Sequence, residues 1–408
     1  MRSHNTALVL DLLRTAGVEG ISRLELAERT GLTPQAVSKI TARLREGGLA
    51  AEAGRRASTG GKPRTVLRLV PEAGHAIGLH LDRDESTVVL CDLTGAVVAE
   101  RRSPLDFGAG ADAVIERAAR EVETLPDGLS PSVLGLGVAI PGPLDHTHGV
   151  LHRVTGFPEW DGYPLRDALA RRLGTPVVID KDTNAAALRL AVGGDVRGDA
   201  ARDGEPCGDE GCGGAARAAE ARRGEARDGE VCGGGDLGIA EPGGGEGHGG
   251  AGGGSFAYLH LGTGLGAGLV IGGALHRGAR TGAGEFGHQV IQLGGPLCGC
   301  GNRGCIEALC LGAVARGETA EAAQVLGAGA ANLVALLDID LVLLGGRTVA
   351  ADPQTFVRGV GAVLDARARR EGGRDRAVPV RIAPGGARGV AEGAAQLLLA
   401  PLFGRAGA

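Results

Sequence analysis

The stretch Cys298-Gly299-Cys300-Gly301-Asn302-Arg303-Gly304-Cys305 puts three thiols within eight residues, and His288 stands ten residues before the first of them. Three thiolates and one imidazole complete a tetrahedral shell, so His288, Cys298, Cys300 and Cys305 are the expected ligands of a zinc ion. Glycines between the thiols allow the tight turns that wrapping round one point requires. A closed shell leaves no position for substrate, so the expected Zn2+ is structural. Ordinary free thiols are the alternative. Cys91 and Cys310 read as core residues, whereas Cys207, Cys212 and Cys232 fall in a glycine-rich stretch where a second metal site is the weaker reading. Clustered cysteines suit a metal in a reducing compartment. No signal peptide and no run of about 18 apolar residues is read, so the expected location is cytoplasmic, with no membrane partner.

Charge divides the chain. Residues 1–70 carry 12 basic and 6 acidic side chains, a net of +6, which leaves −11 for the remainder of a chain whose total is −5. A basic head on an acidic body points to nucleic acid as the head's partner. Aromatic residues make up only 2% of the chain, which argues against single-strand binding by base stacking. Leu8, Val9, Leu12 and Leu13 mark a first helix. Ser22 and Glu25 form a capping box for a second, with Leu24, Leu26 and Ala27 facing inward. Gly31-Leu32-Thr33 turns the chain, and Thr33 with Pro34 opens a third helix to about Glu46. Two extended runs separated by a polar tip follow. The pattern is a winged helix-turn-helix. With Val37, Ile40 and Leu44 inward, Gln35, Ser38, Lys39, Thr41, Ala42 and Arg43 face outward, where a recognition helix meets base edges. Gln suits adenine, and Lys or Arg suits guanine. Arg55, Arg56, Lys62 and Arg64 lie on the wing, placed for phosphate or the minor groove. A winged helix used only for protein contact is the alternative.

From about residue 71 the chain alternates strand and helix, which indicates an α/β body. Strands are expected over 76–99 and Val133–Ile140, and helices over 110–124, 164–173, 318–337, 352–370 and 387–400. Residues 193–254 hold 23 glycines in 62 residues and few large apolar side chains, and read as a disordered insertion. The expected domains are thus 1–70, a first lobe 71–192 and a second lobe 255–408.

Several motifs of the body resemble the ROK family (repressors, open reading frames, kinases). They are Gly284-Glu285-Phe286-Gly287-His288, the Cys298–Cys305 run ending in Cys305-Ile306-Glu307-Ala308, Asp182-Thr183-Asn184-Ala185-Ala186, and Gly262-Thr263-Gly264-Leu265-Gly266. The wing sequence Thr59-Gly60-Gly61-Lys62-Pro63-Arg64 is similar to that of the family's regulators. The resemblance implies a two-lobed, actin-like, hexokinase-type ATPase fold with a sugar in the cleft. It implies that Asp182 stands at the base position that takes a proton from a sugar hydroxyl, and that Glu285, His288 and Glu307 contact the sugar. His288 would hold metal with one nitrogen and face the sugar with the other. The sequence departs from the family in two of these places: Lys181 replaces the Asn that usually precedes the acid, and Gly156 stands where a sugar-contacting Asn is usual.

A third departure concerns phosphate. The family's kinases carry Asp-x-Gly-Gly-Thr after their first strand, whereas this chain reads Leu81-Asp82-Arg83-Asp84-Glu85. The glycines that admit phosphate to backbone amides are gone, and acids stand where a triphosphate would bring more negative charge. Positioning and charge neutralisation supply most phosphoryl-transfer catalysis. The expectation is therefore a sugar-responsive regulator, a repressor without kinase activity in which Asp182 is a vestigial base. Its partners would be a small sugar and operator DNA, an inverted repeat if the protein is a two-fold dimer; a homodimer or homotetramer is expected. An ATP-dependent sugar kinase with an appended DNA-binding head, and a constitutive DNA-binding protein with a vestigial cleft, are the alternatives.

Overall fold

Local signals are strongest at the amino terminus, and the computed structural model follows them there. It describes residues 4–58, 61–125, 132–152, 154, 156–193, 254–372 and 377–405. The glycine-rich stretch with Cys207, Cys212 and Cys232, and the side chains of Arg56 and Lys62, lie outside the described residues. Helix α1 spans His4–Thr15, α2 Arg23–Thr30 and α3 Pro34–Glu46. Ser22 caps α2: Glu25 N donates to its Oγ at 3.3 Å and its own N donates to Glu25 Oε2 at 2.8 Å. Thr33 Oγ1 accepts from Ala36 N at 3.3 Å, and Pro34 opens α3. Gly31 takes the left-handed conformation, φ +68°, that ends α2. Strand β1 (Ile21–Ser22) pairs with β3 (Gly61–Leu69), which forms an antiparallel hairpin with β2 (Ala50–Ser58).

Two side chains depart from the pattern expected for the head. Leu24 is 43% exposed, because the buried stripe of α2 runs through Leu26 and Ala27, and Leu24 lies about 200° from Leu26 round the helix. Thr41 is fully buried: its Oγ1 donates to Val37 O at 2.9 Å and accepts from Arg23 Nε at 3.3 Å.

The body is one topology used twice. In the first lobe, β4 (His75–Leu81), β5 (Glu85–Asp92) and β6 (Val97–Pro104) form an antiparallel meander, and β7 (Val133–Ile140) and β10 (Val177–Lys181) continue the sheet in parallel. The order is β10-β7-β4-β5-β6. Helices α4 (Ala111–Thr124) and α5 (Leu165–Leu173) connect the parallel strands, and the short pair β8 (Leu144–Asp145) and β9 (Val150–Leu151) lies between. Helix α6 (Asp182–Gly193) then leaves β10 without a linker. In the second lobe, β11 (Phe256–Leu261), β12 (Leu265–Ile271) and β13 (Ala274–Leu275) repeat the meander, and β14 (Leu341–Gly345) and β15 (Val380–Ile382) repeat the parallel pair. Helices α7 (Ile306–Ala315), α8 (Thr319–Leu337), α9 (Arg347–Ala351) and α10 (Pro353–Arg370) fill the connections, and α11 (Gly389–Leu399) closes the lobe.

The closing helix of each lobe packs on the other lobe's sheet. Helix α6 lies on β11 and β12, and α11 lies on β4 and β7. Glycines make these approaches possible. A Cβ on Gly78 or Gly137 would sit 2.0 or 1.8 Å from the carbonyl oxygen of Ala391 or Ala394, and one on Gly268 would sit 2.1 Å from Thr183 O.

The first lobe's core is centred on Phe107, which stacks on Trp160 at 4.4 Å, whereas the second packs mainly alanine, leucine and valine around Phe286 and Phe356. Contrary to expectation, one helix among the described residues, α8, is long and apolar enough to cross a membrane. Its Ala322, Ala323, Leu326, Ala330 and Leu333 are buried in the second core, against α7 and α10, which is the position of a core helix. The expected boundary near residue 70 is no break in packing. Val9, Leu10 and Leu13 share a core with Leu93, Ala391, Leu399 and Phe403. Arg14 lies 5.1 Å from the centre of the Phe403 ring, and Arg405 reaches Asp11 at 3.2 Å.

Candidate functional site

Strand β10 ends in Asp180 and Lys181, and the next residue, Asp182, already begins α6. This junction puts Lys181 and Asp182 on the wall of the cavity between the lobes. Thr183 N donates to Asp182 Oδ1 at 2.6 Å. Burial pushes the Asp182 carboxyl up to about 7, helped by the nearby Asp82 and Glu285 charges and opposed by the Thr183 amide and Lys181. Lys181 is itself buried; its Nζ donates to Ala283 O and lies 3.1 Å from Glu285 Oε1. Glu285 is carried into place by Gly284, whose φ of +87° and close pass to Ala267 O leave no room for a side chain. Glu307, in the first turn of α7, accepts from Leu265 N at 2.8 Å.

Lys181, Asp182, Glu285, His288 and Glu307 thus line a single cavity of about 80 Å³. A second hollow of about 250 Å³ opens on the same Glu285 and His288, floored by Pro143, Val154, Gly156 and Pro158. The absent side chain at Gly156 contributes to that space.

His288 also faces the cysteine loop. The donor atoms of His288, Cys298, Cys300 and Cys305 all lie within 4.8 Å of one another. Cys300 Sγ and Cys305 Sγ are 3.7 Å apart, and Cys298 Sγ is 3.8 Å from His288 Nδ1. Metal–sulfur bonds of about 2.3 Å meeting at the tetrahedral angle give an edge of about 3.8 Å, so this donor set fits one tetrahedral ion. Cys298 Sγ also lies 3.8 Å from Glu307 Oε1, which ties the loop to the cavity.

Two hairpin turns face each other across the cleft: Asp82-Arg83-Asp84 between β4 and β5, and Gly262-Thr263-Gly264 between β11 and β12. Thr263 Oγ1 donates to Asp82 Oδ1 at 3.3 Å. Arg347 clasps the first turn from the second lobe. Its guanidinium donates to both Asp84 oxygens at 2.6 and 2.7 Å and to Asp82 Oδ2 at 2.8 Å. These bonds hold the Asp84 carboxyl below the usual carboxylate range. The sequence reading expected bare negative charge here; the structure instead neutralises it with a residue more than 260 positions away.

Sequence reasoning missed Arg347 and His260 and gave no site role to Arg83 or Thr263; His260, Arg83 and Thr263 line the cavity. It also passed over Asp180, which is buried, pairs with Arg277 at 2.7 Å and accepts from Asn184 Nδ2 and Lys181 N at 2.8 Å. A buried strand ending in consecutive charges was the available signal for Asp180; nothing local marks Arg347.

On the head, Gln35, Ser38, Lys39 and Arg43 are exposed on one side of α3, and Arg55 and Arg64 are exposed on the hairpin.

The ROK family profile matches residues 76–198 and 249–321. The xylose repressor of Caldicellulosiruptor bescii is 26% identical over 294 residues, 70% of this chain and 59% of that protein; the chain therefore matches somewhat under two thirds of the repressor's length. Among solved structures, a ROK family transcriptional regulator described as a homologue of the E. coli MLC protein superposes with a TM-score of 0.67 at 18% identity, over 99% of this chain and 98% of that one. A ROK hexokinase from Thermus thermophilus superposes with a TM-score of 0.54 at 25% identity, over 79% of this chain and 96% of that one. The body of the chain thus matches the ROK family.

Proposed function

We propose that this protein is a sugar-responsive transcriptional repressor without kinase activity. The observation that carries this reading is the joining, within one compact unit, of a head with an exposed Gln35–Arg43 face and a cleft that gathers Asp182, Glu285, Glu307 and His288. The head is read as a winged helix-turn-helix spanning 1–70, with α3 in the major groove and Arg55, Arg56, Lys62 and Arg64 on phosphate or in the minor groove. The body, 71–408, binds a sugar. Carboxylates suit sugar hydroxyls because they accept charge-assisted hydrogen bonds. Asp182, Glu285 and Glu307 supply these, Lys181 donates, and His288 presents the ring nitrogen that the metal leaves free. Zinc is the ion proposed for His288, Cys298, Cys300 and Cys305, since a closed S3N shell suits it; when bound it fixes the loop that carries His288.

Loss of phosphoryl transfer is supported by the Arg347 clasp, which occupies the first hairpin with a protein side chain where a kinase needs glycine amides. A homodimer or homotetramer acting on an inverted-repeat operator follows from the two-fold symmetry usual for such heads. A sugar shifts the lobes only by its differential affinity for their arrangements. The route to the head is α11, which lies on the first lobe's sheet, and the short 3-10 turn Ala400–Phe403 that follows it and packs against α1.

The deciding experiment is a mobility shift of the full-length protein on DNA from upstream of its own gene, titrated with a panel of pentoses, hexoses and their phosphates. One sugar is expected to change the shift, and Glu285→Gln is expected to abolish that response while leaving DNA binding intact. A parallel ATP assay should show no turnover. Robust sugar phosphorylation lost in Asp182→Ala would establish a kinase instead, and a shift that no sugar alters would leave a constitutive DNA-binding protein.

A further inference from the structure

Histidines aside, two cationic side chains line the cavity that gathers Asp182, Glu285 and Glu307: Lys181 and Arg83. Lys181 is paired, since its Nζ lies 3.1 Å from Glu285 Oε1 and also donates to Ala283 O. Arg83 is half-buried, and its guanidinium forms no hydrogen bond and no ion pair among the described residues.

Other arginines around the cleft do have acid partners. Arg102 pairs with Glu85 at 2.6 Å, Arg277 with Asp180 at 2.7 Å, and Arg347 with both Asp82 and Asp84. The acids on either side of Arg83 in its own turn are therefore held by an arginine of the other lobe. Asp82 Oδ1 accepts from the Arg83 backbone N at 2.8 Å, not from its side chain, and Asp182 Oδ1 accepts from Thr183 N.

Arg83 reaches across the cleft to the second hairpin. A Cβ built on Gly264 would lie 3.6 Å from Arg83 Nη2 and 3.1 Å from Glu307 Oε2, so the guanidinium and a carboxylate proposed for sugar approach the same glycine without pairing. An arginine stays charged at every physiological pH, and a half-buried one has given up part of its hydration. Its best partner is a group with two oxygens matching the guanidinium fork, a carboxylate or a phosphoryl group. A neutral sugar closing over this cavity would leave the cation unmatched, whereas a sugar that carries an anion would match it.

We propose that the effector is an acidic sugar, a phosphate ester or a uronate, and that Arg83 is the residue that selects it, pairing with the anionic group while Asp182, Glu285 and Glu307 meet the hydroxyls. This rests on the sugar-responsive reading above and names the class of sugar.

The test is calorimetry of the full-length protein with glucose, mannose and galactose, each as the free sugar, the 6-phosphate and the uronate, and with inorganic phosphate as the control without a ring. At least one acidic form is expected to bind at least about tenfold more tightly than its parent sugar and than inorganic phosphate, and whether it is the ester or the uronate identifies the anion. Arg83→Gln should weaken that ligand at least about tenfold and leave the parent sugar within about twofold, and Arg83→Lys should recover part of the loss. Glu285→Gln should weaken the parent and the acidic form alike. Parent sugars that bind as tightly as their acidic forms would overturn this proposal and leave the sugar reading standing, whereas no binding by any sugar would count against both. Acidic-sugar binding unchanged in a folded Arg83→Gln variant, or inorganic phosphate binding as tightly as the ester, would also overturn it.

Discussion

The two lobes share one strand order, and the turn of their first hairpin separates them chemically. In the second lobe it reads Gly262-Thr263-Gly264, with glycine on both sides of Thr263. In the first it reads Asp82-Arg83-Asp84, and Arg347 is locked onto it. Strand order follows from the periodicity of apolar residues, which both halves retain. What a cleft can hold is decided by a few side chains at the strand ends, which can change while the sheets stay the same. The cores differ as well: the first lobe stacks aromatics, whereas the second relies on many small side chains and a tethered cysteine loop.

The largest expected effect tests the difference between the cores. Phe107→Ala should destabilise the protein by about 3–5 kcal/mol, since a stacked, fully buried ring leaves a cavity that its neighbours cannot fill. Denaturant unfolding monitored by Trp160 fluorescence checks this, and a loss below about 1 kcal/mol would mean that the first core is as adaptable as the second.

Next is Asp182, at the border of the lobes. Its folded pKa of about 7 lies above its ordinary value of 3.8, so the native state keeps a proton that the unfolded chain has lost. Stability should therefore fall as pH rises from 3.8 to 7 and level off above. Asp182→Asn should remove that slope and stabilise the protein at pH 8 by at most about 4 kcal/mol. Parallel pH profiles of variant and wild type would refute the assignment.

The glycine approaches come third. Gly78→Ala and Gly268→Ala each drive a Cβ into the closing helix contributed by the other lobe, and about 1–3 kcal/mol is expected from either. A cost at one site only would show that the two crossings are not equivalent.

The smallest effect belongs to the clasp. Arg347 is 47% exposed, so Arg347→Ala should cost only about 1 kcal/mol. The informative variant combines it with Asp82→Gly and Asp84→Gly, which makes the first turn resemble its counterpart. Gain of ATP binding by calorimetry would locate the functional difference in these three residues, and no gain would place it deeper in the first lobe.

Much of this was legible in the sequence, for reasons that differ by region. The head's helices carry their own start and stop signals at Ser22, Gly31 and Thr33, so their limits were readable without tertiary contacts. Val133–Ile140 was legible to the residue because an unbroken apolar run has few alternatives as a central strand. The residues proposed for sugar and metal sit in compact motifs, and the fold brings them to adjoining sites. The Arg347 clasp, the Asp180–Arg277 pair and the exchange of closing helices were hidden, since each joins positions far apart in the chain and leaves no local pattern. Thr41 was misplaced for a smaller reason: a polar residue on the inner stripe of a helix can satisfy itself against its own backbone.

The exchange of α6 and α11 has a mechanical consequence. Because each lobe holds the other's last helix, the lobes cannot simply part; they can only swivel where the helices cross, and Gly393 lies against Ala185 at that crossing. From Gly393 through the rest of α11 and the 3-10 turn Ala400–Phe403 is about 17 Å, so a turn of about 5° at this fulcrum would swing the far end by roughly 1.5 Å. The far end lies under Arg14, so a small tilt in the body would be felt at the head as a displacement of this size.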